Sequence, residues 1–239
     1  MITKVFLVTG ANKGIGKQIA KELAGLGHTV YLAARNRSAG LAAEEELKAL
    51  GDVRFIHLDL NDVSTIEKAA EHIELKSGYL DGLINNAGII VDYGTASTVT
   101  IDALKKTFET NLFGTIIVTQ KMLPLLRMGQ NRVIVNVSTG LASLAMHGDP
   151  SWPFHSTVPF AYNASKAALN MFSILLAKEL RGEEFRVNSV SPGWIATDLG
   201  GESAPGTLEE GAAIAVKTAL EGADGQTGLF LTSGGVVPW

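Results

Sequence analysis

Tyr162 and Lys166 stand four positions apart in the run Tyr162-Asn163-Ala164-Ser165-Lys166. On a helix that spacing puts both side chains on one face. A tyrosine hydroxyl ordinarily titrates near 10, too high to trade a proton at neutral pH. A nearby ammonium favours the phenolate and lowers that value, so the pair reads as an acid–base couple for a developing alkoxide. Ser138 ends an apolar run, where its hydroxyl can hold a substrate oxygen beside Tyr162. Asn111 falls inside a long helical pattern although asparagine is a poor helix former. It is expected to hold a buried water joined to Lys166, giving protons a path to solvent. Each residue has a plainer use: Tyr162 in a core, Lys166 on a solvated face, Ser138 as a cap, Asn111 pointing outward. Their joint occurrence after a glycine-rich turn favours the chemical reading.

That turn is Gly10-Ala11-Asn12-Lys13-Gly14-Ile15-Gly16, placed after an apolar strand and opening a helix. Gly10 permits the tight bend, Gly14 lets backbone approach a phosphate, and Gly16 lets the helix pack on the strand. The helix start then offers free N–H groups and a positive dipole end to a pyrophosphate. An NAD site places Asp or Glu after the second strand to accept from the ribose 2′-hydroxyl. This chain has Arg35 and Arg37 there, with Lys13 in the adjoining turn. Guanidinium and ammonium groups suit a 2′-phosphate, so the expected cofactor is NADP(H). Asp59 and Leu60 end the third strand, where an adenine would lie. Asn86, Ala87 and Gly88 end the fourth and are small enough for a ring to pass. Asn85 reads equally well as a tie between strands.

Positioning these groups requires a particular scaffold. Apolar runs predict strands at 4–9, 29–34, 53–58, 80–85, 132–137, 186–191 and 229–232. Helical patterns alternate with them at 14–25, 39–50, 64–76, 102–127, 160–180 and 208–220. Gly51 reads as the stop for the second helix, Ser64 or Asp62 as the cap of the third, and Pro124 as a kink or early end. Strands this apolar need cover on both faces. The expected fold class is therefore α/β: a single Rossmann-type, doubly wound domain over 1–239, with a seven-stranded parallel sheet and helices on both faces. The stretch 141–159 reads as an inserted loop or small lobe, and 194–207 as a substrate lid.

Composition narrows the function. The chain has 239 residues, 46% of them hydrophobic and 18% charged, an ordinary globular balance. Cysteine is absent, which excludes disulfides and thiolate metal sites. The five histidines lack paired ligand spacing, so no metal is expected. Net charge is −4 without a basic patch, which argues against nucleic-acid and anionic-membrane partners. No apolar run spans a bilayer, and the first strand begins too early for a signal peptide. A cytoplasmic location is the expectation.

Taken in order, these motifs resemble the short-chain dehydrogenase/reductase family over nearly the whole chain. The resemblance rests on Thr9-Gly10-x-x-x-Gly14-x-Gly16, Asp59, Asn85-Asn86-Ala87-Gly88, Asn111, Ser138, Tyr162-x-x-x-Lys166, Pro192-Gly193 and Thr197. It implies that Asn111, Ser138, Tyr162 and Lys166 form a catalytic tetrad, with Lys166 also holding the nicotinamide ribose. It implies that Pro192, Gly193, Trp194 and Ile195 flank the nicotinamide, with Thr197 near its carboxamide. Gly10–Gly16 with Ala34-Arg35, and the ending that carries Gly228, Phe230, Val236 and Trp239, look like the carbonyl reductase subgroup. That subgroup reduces ketones, aldehydes and quinones with NADPH. Ser138 and Tyr162 are 24 positions apart, a longer spacing than the family usually shows. The helices at 102–127 and 160–180 form dimer faces in many members, so monomer and homo-oligomer both stay open. Thr139, Leu141, 144–158, Trp194 and 199–206 should line the substrate pocket. Trp152, Phe154 and Trp194 either accept an aryl or bulky ketone or pack the lobe. His147 and His155 read as loop residues. A small-molecule carbonyl or alcohol is the expected partner. A specialised ketoreductase for a steroid, acyl thioester or sugar is the alternative, and a non-catalytic NADP sensor a more distant one.

Overall fold

The computed structural model describes residues 2–222 and 224–239. Strand and helix alternate as the apolar pattern requires: β1 (Val5–Thr9), α1 (Gly14–Gly25), β2 (Thr29–Ala34), α2 (Arg37–Leu47), β3 (Val53–His57), α3 (Val63–Ser77) and β4 (Gly82–Asn85). There follow α4 (Ile101–Phe108), a π-helical turn (Glu109–Gly114), α5 (Thr115–Met128), β5 (Val133–Val137) and a short 3-10 turn (Gly140–Ala142). Next come α6 (Leu144–His147), α7 (Phe160–Glu179), β6 (Arg186–Val190), α8 (Leu208–Leu220), β7 (Phe230–Thr232) and β8 (Gly235–Val236). The sheet order is β3-β2-β1-β4-β5-β6-β7-β8. Every neighbouring pair is parallel except β7–β8.

Alternation along each strand divides the core. Phe6 and Val8 of β1 join α1, α2 and α8 on one side, while Val5 and Leu7 join α3, α5 and α7 on the other. Each fully buried Leu, Ile or Phe adds about 1.5–3 kcal/mol to the drive for folding, which explains strands with no polar face. The chain leaves β1 toward β2 on one side of the sheet and returns at β4 on the other. The carboxyl ends of these two strands therefore flank a crevice.

Several expectations are corrected. The sheet has eight strands, because Gly235–Val236 turns back antiparallel on β7. Two residues carry no periodic signal. The helix expected at 102–127 starts at Ile101 but opens at Glu109–Gly114 into a π turn. Pro124 does not end it, since α5 continues to Met128. The second helix begins at Arg37, capped by Asn36 Oδ1 accepting from Ala39 N at 2.9 Å, and stops at Leu47. Gly51 is not its stop: a Cβ there would stand 2.4 Å from the Ala24 carbonyl, so Gly51 serves a close approach to α1. Asp62, not Ser64, caps α3. The stretch 141–159 contains α6 and then turns.

Candidate active site

The crevice continues into a cavity of about 1190 Å³. Ligand pockets usually measure roughly 300–1,000 Å³, so this larger one has room for a dinucleotide beside a second molecule. Gly10, Asn12, Lys13, Gly14, Ile15, Gly16, Arg35, Asp59, Leu60, Asn86, Ala87 and Gly88 line one end. Ser138, Thr139, Leu141, Tyr162, Lys166, Pro192, Gly193, Trp194, Ile195 and Thr197 line the other. Of the expected residues, Asn111 and Arg37 lie outside this lining, and only parts of 144–158 and 199–206 reach it.

The first end is shaped by backbone. Gly10 has φ +63°, and a Cβ on it would stand 2.9 Å from Ala87 Cα. A Cβ on Gly16 would lie 2.3 Å from Asn86 Nδ2 and 2.6 Å from the Gly10 carbonyl. Gly14 is needed for its own φ of +55°, since a Cβ there meets only Thr197 Cγ2 at 3.6 Å. Thr9 Oγ1 accepts from Asn86 N at 3.0 Å and Ala87 N at 3.1 Å, stitching β1 to β4. Asn86 Nδ2 donates to the Thr9 carbonyl at 2.9 Å. No side chain caps α1, so its first N–H groups and the positive dipole end remain for an anion. Asp59 turns inward on its own loop, accepting from Asn61 N at 3.0 Å. Asn85 resolves as a strand tie: its Nδ2 donates to Asn136 Oδ1 at 2.8 Å and Thr119 Oγ1 at 3.0 Å.

The basic residues divide. Arg35 is exposed on the main cavity and makes no ion pair among the described residues. Lys13 pairs with Asp198. Arg37 lines a separate hollow with His57, Lys68 and His72.

At the other end, Ser138 follows β5 and its Oγ is buried without a hydrogen-bond partner. Tyr162 and Lys166 project from the first turns of α7 and are both buried. Lys166 Nζ donates to the Val137 carbonyl at 2.7 Å. Burial, which disfavours the charged form, brings the Lys166 ammonium down to about 8. The same desolvation pushes the Tyr162 hydroxyl up. In the protein alone desolvation is the cause that acts on Tyr162; the expected lowering counts positive charge beside the hydroxyl from Lys166 and from an oxidised nicotinamide.

Asn111 sits behind the cavity, fully buried in the π turn. Its Oδ1 accepts from Ile89 N at 2.8 Å, and its Nδ2 donates to the Ile89 carbonyl at 3.0 Å and Ser165 Oγ at 3.1 Å. The amide thus holds 89 and α7 together. Its main-chain carbonyl accepts from Thr115 Oγ1 at 3.3 Å. A Cβ on Gly88 would meet Lys166 Nζ at 3.2 Å and Asn111 Oδ1 at 3.5 Å, so that glycine keeps space open between them.

Aromatic rings close the substrate end. His147, Trp152, Phe154 and Trp194 form a chain of edge contacts with centroid separations of 5.1, 5.6 and 6.1 Å. The last contact joins 141–159 to the loop 194–207. Trp194 Nε1 donates to the Gly200 carbonyl at 2.8 Å, and Thr197 Oγ1 accepts from Gly200 N at 3.0 Å within the same loop. Sequence reasoning missed Ile89, Ile90, Tyr93, Thr232 and Val237, which also line the cavity. Val237 arrives on a tail held by Ser143 Oγ donating to the Pro238 carbonyl at 2.6 Å and by Trp239 stacked on Phe230 at 5.5 Å. The trace of this tail in the sequence is the ending that carries Phe230, Val236 and Trp239.

A family model described as short chain dehydrogenase matches residues 4–207. The chain belongs to the short-chain dehydrogenase family. This short-chain dehydrogenase is 35% identical to short-chain dehydrogenase anuI of Penicillium roqueforti, with 92% of this chain and 90% of that protein covered. It is 33% identical to carbonyl reductase (NADPH) 1 of Mus musculus, with 98% of each covered. Among solved structures it resembles the carbonyl reductase Sniffer of D. melanogaster at TM-score 0.86 and 28% identity, over 100% of both chains. It resembles the NADPH-bound carbonyl reductase from chicken fatty liver at TM-score 0.87 and 25% identity, again over 100% of both. Among the described residues no helix is long and apolar enough to cross a membrane.

Proposed function

We propose that this short-chain dehydrogenase is an NADP(H)-dependent carbonyl reductase, reversible as a secondary-alcohol dehydrogenase. The observation that carries the reading is Ser138 Oγ, buried and unpartnered in a cavity that Tyr162 and Lys166 also line. A buried hydroxyl without a partner costs free energy, and a substrate oxygen would satisfy it. The relatives named for NADPH carbonyl reduction support the same reading.

The residues fit the dinucleotide. The uncapped start of α1 and the bend Gly10–Gly16 suit the diphosphate, Arg35 the adenosine 2′-phosphate, and Leu60 with Ala87 the adenine. Pro192, Gly193, Ile195 and Thr197 suit the nicotinamide, and Lys166 its ribose hydroxyls. When bound, NADPH supplies the hydride, and its oxidised form leaves a positive charge in the site. Ser138 Oγ donates to the substrate carbonyl oxygen and holds it. Tyr162 gives its proton to that oxygen as the alcohol forms, and takes it back in oxidation. Lys166 contributes positive charge beside the phenolate. Asn111 fixes 89 and α7 so that these groups stay aligned. The loop 194–207 acts as a lid, and with 141–159 forms an apolar wall suited to aryl or bulky ketones.

The test is absorbance-followed consumption of NADPH and of NADH over aryl ketones, keto esters, aldehydes and quinones. Turnover with NADPH preferred is expected. Tight NADPH binding with no turnover on any member would overturn the reading.

A further inference from the structure

Lys13 and Asp198 are 185 positions apart and meet at 2.5 Å, Nζ to Oδ2. Lys13 belongs to the turn entering α1, and Asp198 to the loop 194–207. Both line the main cavity. The two partners differ in freedom. Asp198 is carried on a tied turn: Gly201 N donates to the Thr197 carbonyl at 2.8 Å, and Gly200 N donates to Thr197 Oγ1 at 3.0 Å. Ile195, just before, is bridged to Gly206. Both side chains are exposed, Lys13 by 67% and Asp198 by 79%, and the long flexible stem of Lys13 makes it the member able to swing away. Three cationic side chains line this cavity: Lys13, Arg35 and Lys166. Lys166 is engaged by Val137 and Lys13 by Asp198, which leaves Arg35 facing the cavity with no carboxylate paired to it among the described residues.

We propose that Asp198 competes with the adenosine 2′-phosphate for Lys13, and so sets how strongly this enzyme prefers NADPH over NADH. The inference rests on NADP(H) being the cofactor. Both groups accept charge-assisted bonds from Lys13, and a phosphate monoester brings about −1.5 to −2 of charge against the carboxylate's single charge. An exposed ion pair is weak enough to be exchanged for it. NADH carries a neutral hydroxyl at that position and leaves the pair intact. Asp198 therefore taxes the phosphorylated cofactor alone, both by occupying Lys13 and by placing a like charge near the phosphate. Full discrimination then needs Arg35, which has no such competitor.

The experiment is an equilibrium titration, followed by fluorescence, of wild type, Asp198→Asn and Asp198→Glu. The probes are NADPH, NADH, adenosine 2′,5′-bisphosphate and 5′-AMP. In Asp198→Asn, NADPH and the bisphosphate should bind up to about fivefold more tightly, the upper end of the range of an exposed pair. NADH and 5′-AMP should stay within twofold, and Asp198→Glu should restore wild-type values. Added salt should narrow the difference. Unchanged NADPH affinity in Asp198→Asn, or a parallel loss for NADPH and NADH, would overturn the proposal; the parallel loss would mean that Asp198 only braces the loop. If wild type binds NADPH no more tightly than NADH, the cofactor assignment itself falls, and this inference with it.

Discussion

The two ends of the cavity are built from different material. Around Gly10, Gly16, Asn86 and Ala87 the wall is main chain packed so closely that a single added Cβ collides. Around Trp152, Phe154, Trp194 and Val237 the wall is side chains, brought from 141–159, 194–207 and the tail after β7. A main-chain wall has one shape and suits an invariant ligand. A side-chain wall changes shape with each substitution and suits a partner that differs between relatives. The proposed hydroxyl chemistry of Ser138 and Tyr162 stands at the junction of the two.

If the comparison is right, substitutions should rank by what they touch. Tyr162→Phe removes only the proton carried at the junction. It should lower kcat by about 10²–10⁴, the usual weight of a general acid, while NADPH affinity stays within a few-fold. A variant that keeps wild-type turnover would break the assignment. Gly16→Ala adds one carbon at the main-chain end, against Asn86 Nδ2 and the Gly10 carbonyl. Overpacking of this kind costs about 1–3 kcal/mol, so NADPH should bind roughly tenfold to a hundredfold more weakly. Circular dichroism should still show a folded chain.

The junction also sets a pH limb. Lys166 in the folded protein is held at about 8, below its ordinary value of 10.5. Its ammonium is therefore present below pH 8 and lost above it. The kcat/KM for NADPH, which reports the free enzyme, should be flat below that point and fall about tenfold per unit above it. A flat profile to pH 10 would detach Lys166 from the proton transfer. The smallest effect belongs to the side-chain end. Trp194→Ala removes a whole indole and its hydrogen bond to Gly200, a loss of about 1 kcal/mol. KM for aryl ketones should rise about fivefold with kcat nearly unchanged. A larger effect here than in Gly16→Ala would invert the comparison.

The same contrast explains what could be read from the sequence. The main-chain end announces itself, because only glycine fits at Gly10 and Gly16, and because β1, β2, β4 and β5 lie between covered faces and so have no polar residue facing solvent. Helix α8 is legible to its ends, since Thr207 and Glu210 form a reciprocal cap. The tyrosine–lysine spacing survives because α7 is regular through both residues. Other features leave no such trace. The Lys13–Asp198 pair joins residues 185 positions apart, and charge type alone does not choose a partner over that separation. The edge strand β8 is too short for a period, and Val237 reaches the cavity only because Ser143 and Phe230 hold its tail. The partners of the Asn111 amide leave no trace either, since nothing in a helical pattern shows that Ile89 and Ser165 occupy it.

The π turn at Glu109–Gly114 makes this stretch count its residues. Removing one would leave a regular helix, easier to form than the present one. It would also rotate everything downstream by about 100°. Thr115 and Thr119 would swing away from the Asn111 carbonyl and Asn85 that they now serve, and Gly114 would lose its seat against Leu60. Past Ser143 and Ala145, which hold the tail, the loop 141–159 carries no such register, so insertions and deletions there alter the wall. Length variation in this enzyme is therefore tolerated at the substrate end and forbidden in a helix that reaches the cavity only through Thr110.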